Sequence, residues 1–142
     1  MDAARAIVVA AVALAALPAL AAADLKNGEE VYSRCLACHA LESDRVGPRH
    51  CGVVGRRAGS IKGFDYSQAM KGSKLVWNAK TLDRFLADPL KTVPGTTMTY
   101  AGVKDAKERA DLIAWLDAAA RSPACASAPL SSPVTHSGTL GT

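Results

Sequence analysis

The chain has 142 residues, a length that fits a single domain. Aromatic residues make up only 5% of the composition, so a core built from the polypeptide alone would lack large side chains. A bound cofactor is one way to fill this deficit. The formal charge of +4 suits either simple solubility or a basic docking surface. Nucleic-acid binding is excluded, because no basic stretch is interleaved with aromatic residues.

The first 23 residues have the features of a secretory signal peptide. Arg5 supplies the positive charge, an apolar run covers residues 6–17, and Pro18 interrupts the helical pattern. The run is shorter than the ~20 residues that cross a bilayer. Small residues at 21–23 predict cleavage after Ala23 and export to the periplasm. A retained membrane anchor is the alternative interpretation.

The first half of the chain after the leader predicts two helices that are separated by a long loop region. Residues 24–36 predict a helix with Asp24 as its N-cap, and Asn27 with Glu30 forms an alternative capping box. Residues 40–66 hold six glycine and proline residues, a density that indicates loops rather than a sheet. A short helix is expected over residues 67–71.

Two more helices are expected in the second half of the chain. Asn78 can cap a helix over residues 79–88 that Pro89 ends. Asp105 and Glu108 form a capping box for the strongest helix, residues 106–121. That helix has a buried face, and the polar residues expected to face water are Arg109, Asp111 and Asp117.

The remaining sequence fixes the domain boundaries. Residues 126–142 are rich in Ser, Pro and Ala, without periodicity, which predicts a disordered tail. The domain at 24–125 is therefore all-α, with three to four helices and long glycine-rich loops. Loops of this length need something to organise them, such as a bound cofactor.

Cys35, Cys38 and His39 form a C-x-x-C-H motif. Two thiols at this spacing can form thioethers with the two vinyl groups of one haem, and the adjacent histidine can bind the iron. One alternative is a thioredoxin-like thiol pair, but the βαβ context that it requires is missing. Another alternative is zinc, which needs two further ligands at regular spacing.

The second axial ligand has four candidates. They are Met98, Met70, His50 and His136. Met98 is favoured because it lies in a polar loop, where a methionine has little packing reason to occur. Met70 lies in a helical pattern that predicts a core position.

From residue 24 to about 121 the sequence resembles a class I cytochrome c of the mitochondrial and bacterial c2 type. The resemblance extends over nearly the whole mature chain. It rests on Gly28 with Tyr32, the haem motif at 35–39, Gly47 with Pro48, the loop at 52–59, residues 63–67, Trp77, the methionine loop at 94–102 and the last helix at 108–116.

The family implies a covalent haem c held by Cys35 and Cys38, with His39 and Met98 as iron ligands. It also implies that the Pro48 carbonyl accepts a hydrogen bond from His39. Residues implied to bind or line the haem propionates are Arg56, Tyr66, Trp77 and Thr96.

The family further implies a monomeric electron carrier rather than an enzyme. The residues matching the docking surface for redox proteins are Arg34, Arg45, Lys91 and Lys104. Expected partners include a cytochrome bc1-type donor, a terminal oxidase, a reaction centre or a dehydrogenase. Leu90, Thr97 and Asp105 replace common lysines, so salt should affect docking only modestly.

Two other functions are compatible with the motif. A haem enzyme or ligand sensor, such as a peroxidase, would need a labile sixth ligand. A thiol protein without haem would be colourless.

Cys51 and Cys125 remain after the motif is assigned. Export to an oxidising compartment and the even count predict a disulfide between them. Two unpaired thiols are the alternative. A bridge closing a loop of this length could stabilise the fold by ~4 kcal/mol in the chain-entropy model.

Overall fold

The computed structural model describes residues 22–127, which form an all-α domain without a β-sheet. Most of the predicted signal peptide (residues 1–21) and of the predicted tail (residues 128–142) lies outside the described residues. No helix between residues 22 and 127 is long and apolar enough to cross a membrane. The six short helices are α1 (Leu25–Tyr32), α2 (Gln68–Gly72), α3 (Ala79–Ala87), α4 (Pro89–Thr92), α5 (Ala106–Ala119) and α6 (Pro123–Ala126).

Helix α1 begins where the sequence predicted. The Asp24 side chain accepts a hydrogen bond from the Asn27 backbone N–H at 3.1 Å, so Asp24 is the N-cap. The helix tightens into a 3₁₀ turn over Ser33–Cys35. Two further turn hydrogen bonds then run from the backbone N–H groups of Cys38 and His39 to the Cys35 carbonyl. The C-x-x-C-H motif therefore continues the C-terminal end of α1 as a series of hydrogen-bonded turns.

Helices α3 and α4 are separated by Asp88, and Pro89 is the first residue of α4. Asn78 caps α3 through a reciprocal capping box with Thr81. Asp88 then caps α4, and Pro89 occupies the first turn of that helix, where a missing N–H costs nothing. The prediction that Pro89 only terminates a helix missed α4, which is one reason for the larger helix count.

Helix α5 differs from the prediction on its polar side. Asp105 caps it by accepting from the Glu108 backbone N–H at 2.8 Å. The Glu108 side chain does not complete the predicted box, because its carboxylate pairs with Arg34 beyond α1. Arg109 was expected to face water, yet its guanidinium bonds Asp83 on α3.

Asp111 corrects the sequence prediction most clearly. It was expected on the solvent face, but only 1% of its surface is exposed. Its carboxylate accepts hydrogen bonds from the backbone nitrogen of Asp24, from Asn27 and from Lys107. Donors from the start of α1 and from the preceding turn of α5 thus compensate a burial that would otherwise be costly.

The crossing of α1 over α5 is closest at Gly28. A Cβ atom added at this glycine would lie 2.7 Å from the Trp115 Cβ and closer still to the Asp111 carbonyl oxygen. Leu112, Ile113 and Leu116 of α5 are buried beside this crossing, as predicted. A side chain at position 28 would therefore push the two helices apart.

A disulfide joins Cys51 to Cys125, as predicted. Cys125 lies in α6, immediately beyond α5, and Cys51 lies in the loop that follows the C-x-x-C-H motif. The bridge spans 74 residues of sequence and connects α6, just beyond the end of α5, to that loop.

Replacing Gly28 by alanine tests the helix crossing. Alanine would add about 1 kcal/mol of helix propensity. We expect the steric conflict to outweigh this gain, giving a net loss of about 2 kcal/mol in the free energy of unfolding, measured by urea denaturation. The matched control is Gly72→Ala, because a Cβ there meets nothing within 4 Å. Equal stability of the two variants would contradict the close crossing.

Candidate haem-binding site

A single cavity of about 430 Å³ collects the residues that the sequence singled out. This volume lies within the ordinary range of cofactor sites. Much of its wall is apolar and includes Phe85, together with Val53, Leu82, Leu112 and Leu116, which the sequence did not assign to a site. The wall contains all nine predicted site residues, namely Cys35, Cys38, His39, Pro48, Arg56, Tyr66, Trp77, Thr96 and Met98.

The His39 ring is held in one orientation. Its Nδ1 donates a hydrogen bond of 2.7 Å to the Pro48 carbonyl, as the family resemblance implied. Gly47 lies against the ring, and a Cβ at that position would come within 2.6 Å of both ring nitrogens. Burial lowers the pKa of His39, so the imidazole is neutral. With Nδ1 committed to Pro48, Nε2 is the nitrogen available to a metal.

His50 lies beside His39 rather than across the cavity from it. The two rings stack with centroids 4.2 Å apart and an angle of 22° between their planes. The Nδ1 atom of His50 is 3.2 Å from the Tyr32 hydroxyl. Burial lowers the pKa of His50 to about 3, with further contributions from His39 and Arg56. Two imidazoles so placed cannot bind opposite faces of one haem, so His50 is not a partner ligand to His39.

The two cysteines of the motif do not resemble a reactive thiol pair. Cys35 and Cys38 are the free cysteines of the described chain, and both line the cavity. Burial raises the pKa of the Cys35 thiol, whereas a redox thiol needs a lowered one. The zinc alternative also lacks support, because residues 22–127 bring together no group of three or more His, Cys, Asp or Glu side chains suited to a metal ion.

Both methionine candidates for the second ligand line the cavity. Met70 is buried within the hydrophobic core, and Met98 is half-buried at its edge. Thr96 is buried close to Met98, and its hydroxyl oxygen accepts a hydrogen bond of 3.3 Å from the Met98 backbone N–H. His136 lies outside the described residues.

Arg56 provides a direct test of whether the cavity suits a haem. Its guanidinium donates to the carbonyl groups of Cys51 and Arg49, and burial lowers its pKa. Between residues 22 and 127, no carboxylate forms an ion pair with it. A buried cation without an anionic partner is costly. Tyr66, Trp77 and Thr96 also line this cavity, so the wall fits a ligand that carries carboxylates, as haem does.

The four predicted docking cations differ in their surroundings. Arg34 forms a bidentate ion pair with Glu108, with both N–O distances at 2.7 Å. Arg45 donates to the Leu36 carbonyl, and Lys104 donates to the Ala87 carbonyl. Lys91 is in the last turn of α4. These contacts restrain three of the four side chains and neutralise one of them.

The fold and the cavity together define a class of small helical proteins that enclose a large, partly apolar redox cofactor. Comparison with known proteins identifies the family. The family model for cytochrome c matches residues 25–120. The chain therefore belongs to the cytochrome c family, whose members bind haem c covalently through cysteine residues and transfer electrons rather than catalyse reactions as enzymes.

Individual relatives agree with this assignment. The chain is 41% identical to "Cytochrome c type-1" of Ascaris suum over 110 residues, which cover 75% of this chain and 98% of the relative. It is 46% identical to "Cytochrome c2" of Rhodomicrobium vannielii over 101 residues, or 69% of this chain and 81% of the relative. Among solved structures, cytochrome cH from Methylobacterium extorquens matches with a TM-score of 0.65 and 44% identity, covering 67% of this chain and 98% of that one.

Replacing Gly47 by alanine tests how His39 is held. The added methyl group would overlap the imidazole, so the ring or the loop must move. We expect a mixture of low-spin and high-spin haem in the visible spectrum, and a loss of about 2 kcal/mol of stability. Val46→Ala is the control, because Val46 is 82% exposed. An unchanged spectrum in the Gly47 variant would contradict the close contact with the ring.

Proposed function

We propose that this cytochrome c is an exported one-electron carrier, with haem attached through Cys35 and Cys38 and iron bound by His39 and Met98. The observation that carries the proposal is the single cavity in which all nine residues meet, with His39 oriented by Pro48. When bound, the haem iron supplies the Fe(III)/Fe(II) couple.

Two axial side chains would leave no open position for a substrate. His39 offers its free ring nitrogen, and Met98 offers a thioether from the loop before α5. A filled coordination sphere suits electron exchange and disfavours the peroxidase or sensor alternative, which needs a vacant or labile position. The methionine also raises the reduction potential, because thioether sulfur favours Fe(II).

The wall of the cavity would also raise the reduction potential. Phe85 and Met70 are both buried, and neither brings a hydroxyl group or a charge to the cavity. An apolar surrounding disfavours the additional positive charge of Fe(III). We therefore expect a clearly positive reduction potential.

Docking to redox partners would occur where the cavity wall reaches the surface. The exposed wall residues include Ala37, Val46, Thr97 and Thr99, none of which is charged. Arg34 is also exposed there, but Glu108 neutralises it. This composition favours short-range contact with a partner over long-range electrostatic steering. The partners are redox proteins of the periplasm or its membrane, such as a bc1-type donor, an oxidase, a reaction centre or a dehydrogenase.

A pair of methionine variants tests the axial ligand. In Met98→Leu we expect the reduction potential to fall by a sizeable part of the ~0.8 V range that axial ligands span, and carbon monoxide to bind the reduced protein rapidly. Met70→Leu is the matched control, since it removes the other thioether that lines the cavity. Rapid carbon monoxide binding by the unaltered protein would favour the peroxidase or sensor instead.

The neutralised ion pair gives a second prediction. Glu108→Gln would leave the Arg34 charge uncompensated, so electron transfer to an acidic oxidase should accelerate roughly two- to threefold at low salt. Arg34→Gln should slow it by a similar factor. Stopped-flow kinetics over a range of ionic strengths would measure both rates. Identical salt dependence in the two variants would contradict docking near this pair.

A further inference from the structure

The buried carboxylate of Asp111 lies outside the cavity, and the proposed function assigns it no role. Its Oδ1 atom is 2.9 Å from the backbone nitrogen of Asp24. Its Oδ2 atom accepts from Asn27 at 2.8 Å and from the Lys107 ammonium at 2.7 Å. One of its three partners is thus the main-chain nitrogen of the first residue predicted to follow the leader.

The chemical nature of that nitrogen depends on processing. In the unprocessed chain it is a neutral amide. If the chain begins at Asp24, it is a primary ammonium. Ala22 and Ala23 are exposed and precede α1 without regular structure, so the bond between Ala23 and Asp24 is open to a peptidase. No rearrangement is needed to place the new terminus on Asp111, because the two atoms are already in contact.

We infer that cleavage after Ala23 creates an ammonium at Asp24 that pairs with the buried Asp111 carboxylate and locks α1 onto α5. The inference rests on the export proposed above. The charges nearby support it. Asp111, the Asp24 side chain and Asp105 are negative, and Lys107 is the cation that meets them among the described residues. Cleavage would place a second positive charge, beside that of Lys107, next to these three carboxylates.

The local electrostatics favour a cation at this position. Lys107, the Asp24 backbone N–H and Asn27 together lower the pKa of Asp111 to about 2, so its carboxylate is ionised at any physiological pH. The Lys107 side chain is 63% exposed, and solvent screens its charge. A terminal ammonium in the place of the Asp24 amide would lie beside a carboxylate of which 2% is exposed. Charge-assisted hydrogen bonds in such surroundings are stronger than neutral ones.

The pairing has a characteristic pH dependence. A free α-amino group has a pKa of about 7.7–8.0, and an adjacent carboxylate raises it. The stabilisation is therefore complete below about pH 7.7 and disappears as the pH rises through the raised pKa. Lys107, Asp105 and the Asp24 carboxylate are present whether or not the leader is removed, so the two chain lengths differ at this site in the terminal ammonium.

The experiment uses four exported holoproteins that form a double-mutant cycle. One pair of chains begins at Asp24 and the other at Ala22, each with Asp111 or with Asp111→Asn. Mass spectrometry verifies every first residue, and urea denaturation from pH 6 to pH 10.5 gives the unfolding equilibrium constants. The native leader is expected to yield Asp24 as the first residue.

At pH 7 the Asp111→Asn exchange should raise the unfolding constant about tenfold more in the chain that begins at Asp24. This excess should disappear towards pH 10.5. Equal effects in both chain lengths, or a natural terminus other than Asp24, would overturn the inference. If Asp111→Asn does not fold, the two chain lengths alone decide, because equal stability at pH 7 would also overturn it.

The haem spectrum separates this inference from the proposed function. Asp111 lies outside the cavity, so all four proteins should share one spectrum and one reduction potential. Equal stabilities with an intact His/Met spectrum would overturn the terminal lock alone. Colourless proteins from a host able to attach haem would overturn the electron carrier and the export on which the lock depends.

Discussion

The close contact of α1 with α5 at Gly28 is the constraint on which the rest of the structure depends. Helix α1 leads directly through one 3₁₀ turn into Cys35, so the angle at which it crosses α5 fixes where the thiols and His39 lie. The disulfide between Cys51 and Cys125 provides a second attachment, from beyond the end of α5 to the loop that follows the motif. The segment that carries His39 is therefore held at one end by α5 and at the other by α6, the short helix that follows α5.

The second constraint is the low content of large side chains. The loops between α1 and α2 contain little regular structure and are linked mainly by turn hydrogen bonds. Apolar residues of these loops, such as Val53, belong to the buried core and also line the cavity. Without a cofactor, this wall would expose apolar surface to water, which is unfavourable in proportion to its area. A haem bound in this cavity would be part of the core as well as the redox group.

Features governed by local chemistry were predictable from the sequence. The N-caps Asp24, Asn78 and Asp105 satisfy N–H groups only three residues away, so their role follows from neighbouring residues alone. The predictions for Asp111 and Glu108 were wrong because their partners lie more than seventy residues distant. The C-x-x-C-H motif and the polar loop of Met98 identified four of the nine cavity residues, and the resemblance added the other five, since family motifs encode tertiary position that periodicity does not.

His50 shows where such reasoning ends. The sequence marked it as a candidate iron ligand, but its stacking on His39 depends on how the loop carrying Pro48 folds back. The stacked pair extends to Tyr32, which in turn packs on Trp115 of α5 at 4.4 Å. His39 is thereby connected through side-chain contacts to the same helix pair that Gly28 brings together. Movement of α1 against α5 would reach His39 along two routes, through the backbone of the motif and through these rings. A rigid crossing of α1 and α5 therefore supports the position of His39 directly, which is a physical reason for a buried carboxylate to stabilise that crossing.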